Sequence, residues 1–317
     1  MKRQRHASKR AKAPWITTAV ATATAKPLAA LAFALALAAP ASAAGIVDDR
    51  GRTVEIAAPP QRIVSILPSL AEMVCRLDRC ERLVGVDRYT DWPAQAARLP
   101  RVGGGIDPNI EAIVALRPDL VLAGTSSRGI DRLESLGIRV LAFDPNTHAD
   151  VERILGALGV VLGRDDAQRI WREIDDGVSA AARSLPPEAR GARVYFEVNA
   201  GPYGASEASF IGETLARLGA RNILPARLGA FPKLNPEYVV RADPEVIIIG
   251  QRSAEGLAQR PGWSGMRAIR EGRVCLFLAH ESDVLVRPGP RMAEAARMMA
   301  ECLRQKAPRR RGEGDSR

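Results

Sequence analysis

One segment of this chain occurs twice at a fixed spacing. Asn109-Ile-Glu111-Ala-Ile-Val-Ala-Leu-Arg-Pro118-Asp-Leu-Val-Leu-Ala-Gly124 lines up without gaps on Asn235-Pro-Glu237-Tyr-Val-Val-Arg-Ala-Asp-Pro244-Glu-Val-Ile-Ile-Ile-Gly250, at an offset of 126. Asn, Glu, Pro and Gly coincide, an acid follows each proline, and an apolar run follows each acid. The pattern spells a helix, a proline-marked stop and a buried strand, used twice. Two related lobes are therefore expected, in keeping with a length of 317 residues and typical domain sizes.

The rest of the body alternates in the same way. Arg62–Leu67, Leu83–Val86, Leu120–Leu122 and Val140–Phe143 read as buried strands, and Ser69–Leu77, Asn109–Leu116 and Ile130–Leu136 have helical spacing between them. Such alternation predicts an α/β fold with parallel sheets. Between the halves, Ala167, Ile170, Trp171, Ile174, Val178, Ala181 and Ala182 recur at three- and four-residue steps until Pro186-Pro187 stops them. That stripe predicts one long helix over 165–185, stiff enough to limit lobe motion. The expected organisation is an N-terminal lobe over 44–147, a helical connector over 148–190, a C-terminal lobe over 191–305 and a basic tail over 306–317.

The formal charge of +10 suggests a nucleic-acid partner until it is located. Residues 1–43 carry seven cations and no acid, the tail from Lys306 carries all of the remaining excess, and 44–305 is neutral overall. No attraction to a polyanion is encoded in that body. The basic start runs into apolar Leu28–Ala39 and then Pro40-Ala-Ser-Ala43, the form of a secretory signal peptide cleaved near Ala43. The apolar run is too short to span a bilayer. In the oxidising compartment this implies, Cys75, Cys80, Cys275 and Cys302 read as two structural disulfides. Three connectivities are open; the short spacing favours Cys75 with Cys80, leaving Cys275 with Cys302.

Catalytic signatures are missing. His148 and His280 are the histidines left after signal removal, too few for a histidine-rich metal site, and no nucleophile-elbow, phosphate-loop or metalloprotease motif occurs. Gly103-Gly104-Gly105 lacks the context of a dinucleotide site and reads as a turn. Adjacent acids such as Asp48-Asp49 and Asp165-Asp166 read as cap or loop residues. The expectation is a protein that binds, without a catalytic cofactor or a protein-held metal.

Arg62-Ile-Val-Ser-Ile-Leu-Pro-Ser-Leu-Ala-Glu72, Leu83-Val-Gly-Val-Asp-Arg-Tyr-Thr-Asp-Trp-Pro93, the two repeated units, Glu207–Gly219 and Arg287-Pro-Gly-Pro-Arg291 occur in order. Together they resemble the vitamin B12 and iron-chelate group of periplasmic substrate-binding proteins, and within it the cobalamin-binding members. The resemblance covers about residues 60–305. It implies two Rossmann-like, chelatase-like lobes joined by one rigid helix, a ligand in the cleft between them, and delivery to the transmembrane subunits of an ABC importer. Glu111 and Glu237 match the paired glutamates that dock on those subunits. Trp92, Tyr203 and Phe231 match aromatic ligand contacts, and Asp283 with Arg287 matches polar ones. Gly105 and Gly124 stand where cobalamin-binding members have tryptophans, which leaves open a related corrinoid, haem or a ferric siderophore. For haem, Tyr203, Tyr89 or His280 would be candidate axial ligands. A secreted chelatase-like enzyme is the remaining alternative, and a monomer is expected.

Overall fold

The computed structural model describes residues 44–308; the expected signal (1–43) and the tail from residue 309 lie outside the described residues. A hairpin of β1 (Ala44–Val47) and β2 (Thr53–Ile56) leads into a parallel sheet. That sheet contains β3 (Ile63–Ser65), β4 (Leu83–Val86), β5 (Leu120–Ala123) and β6 (Val140–Ala142), in the order β4-β3-β5-β6. All three pairings are parallel, with Val121 opposite Val140 and Leu122 opposite Leu141. Every residue of β3, β5 and β6 is buried, which is why these strands read as continuous apolar runs and not as alternating ones.

The second lobe contains β7 (Arg193–Asn199), β8 (Tyr203–Gly204), β9 (Arg221–Asn222), β10 (Val246–Gly250) and β11 (Val274–Phe277). Its parallel strands follow β9-β7-β10-β11, while β8 pairs antiparallel with the far end of β7. Numbered within each lobe, both parallel sheets run second-first-third-fourth. The 126-residue offset places β5 on β10, the third strand of each. The preceding helices, Ile110–Ala115 and Pro236–Ala242, are both capped by an asparagine side chain: Asn109 accepts from the Ala112 N–H and Asn235 from the Glu237 N–H.

The connector begins with the helix His148–Leu162, closed at its start by a reciprocal Thr147–Asp150 capping box. The strut itself spans Ala167–Ser184, about 27 Å at the usual rise per residue. Its buried stripe is Ala167, Ile170, Ile174, Val178 and Ala181. The C-terminal helix Met292–Lys306 packs along it, and Gly177 permits the closest approach: a Cβ there would stand 2.5 Å from that of Ala293. Lys306, grouped with the tail by composition, ends this helix and donates to the Gly272 carbonyl at 2.9 Å.

One continuous hydrophobic core contains Leu70 of the first lobe, Ile154 and Ile174 of the connector, and Ile211, Val246 and Met299 beyond it. A hinge between the lobes would open that core, at roughly 25 cal/mol for each Å² of apolar surface exposed. Cys75 is bonded to Cys80 across the end of the helix Pro68–Arg76, and Cys275 of β11 to Cys302 of the C-terminal helix. No helix among the described residues is long and apolar enough to cross a membrane.

Candidate functional site

In each sheet the chain reverses its direction of winding between the first and third strands, β3 and β5 or β7 and β10. Open parallel sheets form a crevice at that point, outside the carboxyl ends of the strands. A cavity of about 350 Å³ opens there in the first lobe, with Ile66 and Leu67 following β3, Asp87 and Tyr89 following β4, and Gly124 following β5. A second cavity, of about 240 Å³, is lined by Leu67, Gly124 and Asp144 from the first lobe and Val198, Phe210 and Phe231 from the second. The two share Leu67, Gly124 and Ser126, so they form one cleft that both lobes line. A larger hollow, of about 630 Å³, lies apart on the outer flank, between β11 and the C-terminal helix.

Loop Asp87–Trp92 contributes Asp87, Arg88 and Tyr89 to the wall of the first-lobe cavity. The buried Asp87 carboxylate accepts from the Tyr89 N–H at 2.5 Å, the Thr90 N–H at 3.1 Å and the Thr90 hydroxyl at 3.0 Å. Burial raises the Asp87 pKa above the ordinary value, with these hydrogen bonds opposing the rise. The Tyr89 side chain is 59% exposed on the cavity wall. The resemblance offers it only as an axial ligand for haem; its place three residues past the carboxyl end of β4 is the signal that marks it as wall.

The expected site residues separate into three places. Phe231 lines the interlobe cavity, edge-on to Phe210 with ring centroids 6.0 Å apart. Trp92 and Tyr203 line neither cleft cavity. Trp92 borders a hollow beside Cys75, with the Arg291 guanidinium 4.9 Å from its ring centre. Tyr203 lies in β8, bridged to Lys233. His280 is exposed in the helix Ala279–Leu285. Glu111 and Glu237 are exposed, each the second residue of its helix, and Glu237 pairs with Arg241 at 3.5 Å.

Asp283 and Arg287 belong to an ion-pair cluster that joins the lobes. Arg287, only 7% exposed, reaches Glu72 at 3.2 Å, Asp91 at 2.5 Å and Asp283 at 3.4 Å, and donates to the Tyr89 carbonyl at 2.8 Å. Arg291 grips both oxygens of the same Glu72, at 2.9 and 3.2 Å. Burial holds the Glu72 and Asp283 carboxyls above their ordinary pKa despite these guanidiniums. Asp91, less buried, is held below its ordinary value because its hydrogen bond and charge pairing with Arg287 outweigh the cost of its burial. Among the described residues no group of acids, histidines and cysteines could hold a metal ion. Gly103 sits at φ +95° and bridges to Pro108, a turn as expected.

Two like-wound α/β lobes, fixed by a helical strut over a cleft that both line, define a receptor-type ligand-binding fold. The chain belongs to the periplasmic binding protein family, which matches residues 63–277. It is 27% identical over 271 residues to the uncharacterized ABC transporter substrate-binding lipoprotein YvrC of Bacillus subtilis, covering 81% of this chain and 84% of that one. It is also 27% identical over 262 residues to the vitamin B12-binding protein of Pectobacterium carotovorum, covering 78% and 90%. Among solved structures, a periplasmic heme-binding protein from Pseudomonas aeruginosa superposes with a TM-score of 0.64 at 26% identity, covering 80% and 95%.

Proposed function

We propose that this protein is an exported solute receptor that captures cobalamin or a related corrinoid in the interlobe cleft and delivers it to an ABC importer. The carrying observation is the continuous cleft that both lobes line, with Tyr89 on the wall of its first-lobe part and Phe210 and Phe231 on the wall of its interlobe part. Flat rings on the cleft walls suit a macrocycle, and a ligand that brings its metal already chelated asks for no cluster of protein donors. The named ligand of the Pectobacterium relative supports the choice. Glu111 and Glu237, one per lobe in matched positions, suit docking onto a two-fold symmetric pair of transmembrane subunits. The signal-like start and the naming of the relatives support export to the periplasm. The proposal further has the signal cut near Ala43 and the protein acting as a monomer, without nucleic acid or chemistry of its own.

Haem or a ferric siderophore is the second reading, favoured by the exposed phenol of Tyr89 on the cavity wall and by the heme-binding structural neighbour. Titration of purified protein with cyanocobalamin, haemin and a ferric siderophore separates the readings. Saturable tight binding of cyanocobalamin supports the first, and haemin binding with a shifted Soret band supports the second. Binding of none refutes both.

A further inference from the structure

Arg287 stands between two residues of the second lobe, Val286 and Pro288, that line the interlobe cavity, yet its own side chain leaves that cavity and crosses to the first lobe. There it meets the loop that carries Tyr89. Its guanidinium donates to the Tyr89 carbonyl and pairs with Asp91 two residues on. The other end of the loop is tied by Asp87, whose carboxylate takes the Tyr89 N–H. Both backbone groups of Tyr89 are thus engaged, one from each lobe, and the exposed phenol is what remains to meet a ligand.

The arginine is itself aimed. Glu72, 1% exposed, faces it from the helix Pro68–Arg76, and Arg291 holds both Glu72 oxygens in place. The planar fork of Arg287 serves its partners from two nitrogens held apart, one donating to Glu72 and Asp91 and the other to the Tyr89 carbonyl, a spread that the compact ammonium of lysine does not reproduce. We propose that Arg287 is a positioning residue for capture: from the second lobe it fixes the Asp87–Trp92 loop, and with it Tyr89, on the wall of the cleft. The family resemblance alone would have made Arg287 a ligand contact.

Two readouts test this. In the ligand-free protein, amide exchange followed by mass spectrometry reports the loop directly. Arg287→Lys should speed exchange at Tyr89 and Thr90 by about tenfold, the size of one ordinary coupling, and leave the strut helix unchanged. Asp91→Asn removes the loop end of the same pair at a half-exposed position. It should give the same local signature, and it carries the test if the lysine variant does not fold. The second readout rests on the reading of the cleft as a chelate site. Affinity for whichever of cyanocobalamin or haemin the wild type binds should fall about tenfold in Arg287→Lys, and Tyr89→Ala should then cost little more in that background. Unchanged loop exchange in both variants, or losses from Arg287→Lys and Tyr89→Ala that add in full, overturn the proposal. A wild type that binds none of cyanocobalamin, haemin and the ferric siderophore refutes the chelate reading, while the exchange readout still decides the role of Arg287.

Discussion

Glu111 and Glu237 occupy equivalent places in two copies of one unit. Each is the second residue of a short helix, two residues after the asparagine that caps it and just ahead of the third strand of its sheet. A carboxylate in a first helical turn is already favoured by the helix dipole, so either residue alone would need no partner to explain it. Their matched placement in two lobes held by one core is what suggests use as a pair.

If the pair docks on importer subunits, reversing both charges should act on transport alone. Glu111→Arg with Glu237→Arg should leave probe affinity unchanged and move Tm by no more than about 2 °C, as surface substitutions do. In vesicles carrying the cognate importer, uptake should be abolished. Full transport by the double variant would remove the docking assignment.

His148 gives a pH dependence with a definite sign. It opens the helix His148–Leu162, and its ring lies between the Phe210 carbonyl at 3.1 Å and the Thr214 hydroxyl at 2.9 Å. Burial holds its pKa below the usual 6.5, with the Glu213 carboxylate opposing. Between 6.5 and that lower value the unfolded chain takes up a proton that the folded chain does not, so stability contributed by His148 is lost as pH falls through the window. Urea midpoints at pH 7.5 and 5.5 should therefore converge in His148→Gln relative to wild type. An equal pH effect in both proteins would place the acid sensitivity elsewhere.

Much of the fold was legible because its signals are local. The proline stops at Pro118 and Pro244, the all-apolar strands and the stripe on the strut each fix an element from its own residues, and the 126-residue offset carries over to the two sheets. The cleft was less legible because it is made by winding order and by contacts far apart in sequence. Nothing in the spacing of Asp283 and Arg287 shows that the arginine turns away toward Glu72, 215 residues back. The resemblance makes Trp92 a ligand contact, while loop Asp87–Trp92 puts Tyr89 on the cavity wall and Trp92 against Arg291, beside a separate hollow.

The two disulfides should contribute unequally. Cys75–Cys80 closes a separation of 5 residues and Cys275–Cys302 one of 27. Chain-entropy loss in the unfolded state scales with loop length, giving about 2 kcal/mol for the first and about 3.5 kcal/mol for the second. Paired Cys→Ser variants, compared by urea denaturation, should rank in that order. The second should also loosen β11 from the C-terminal helix, visible as faster amide exchange along the strand. The reverse ranking would mean that structure remaining in the unfolded chain outweighs loop length.

Gly105 and Gly124 both line the cleft, but the space around them differs. A Cβ on Gly105 would stand 2.7 Å from the Ile66 carbonyl oxygen, a backbone atom that cannot move aside without disturbing the chain after β3. On Gly124 the nearest atom is an Asp144 oxygen at 3.6 Å, an ordinary contact. Gly105→Ala should then cost about 1–3 kcal/mol by overpacking, while Gly124→Ala should stay within about 0.5 kcal/mol. Gly124 also borders both cavities, so a larger side chain there would add to the wall that faces the proposed ligand. Gly124→Trp restores a ring where the resemblance to cobalamin-binding proteins places one. It should tighten cyanocobalamin binding by about tenfold, the worth of one added aromatic contact. An unchanged affinity in a folded Gly124→Trp protein would show that position 124 is not part of the corrinoid wall.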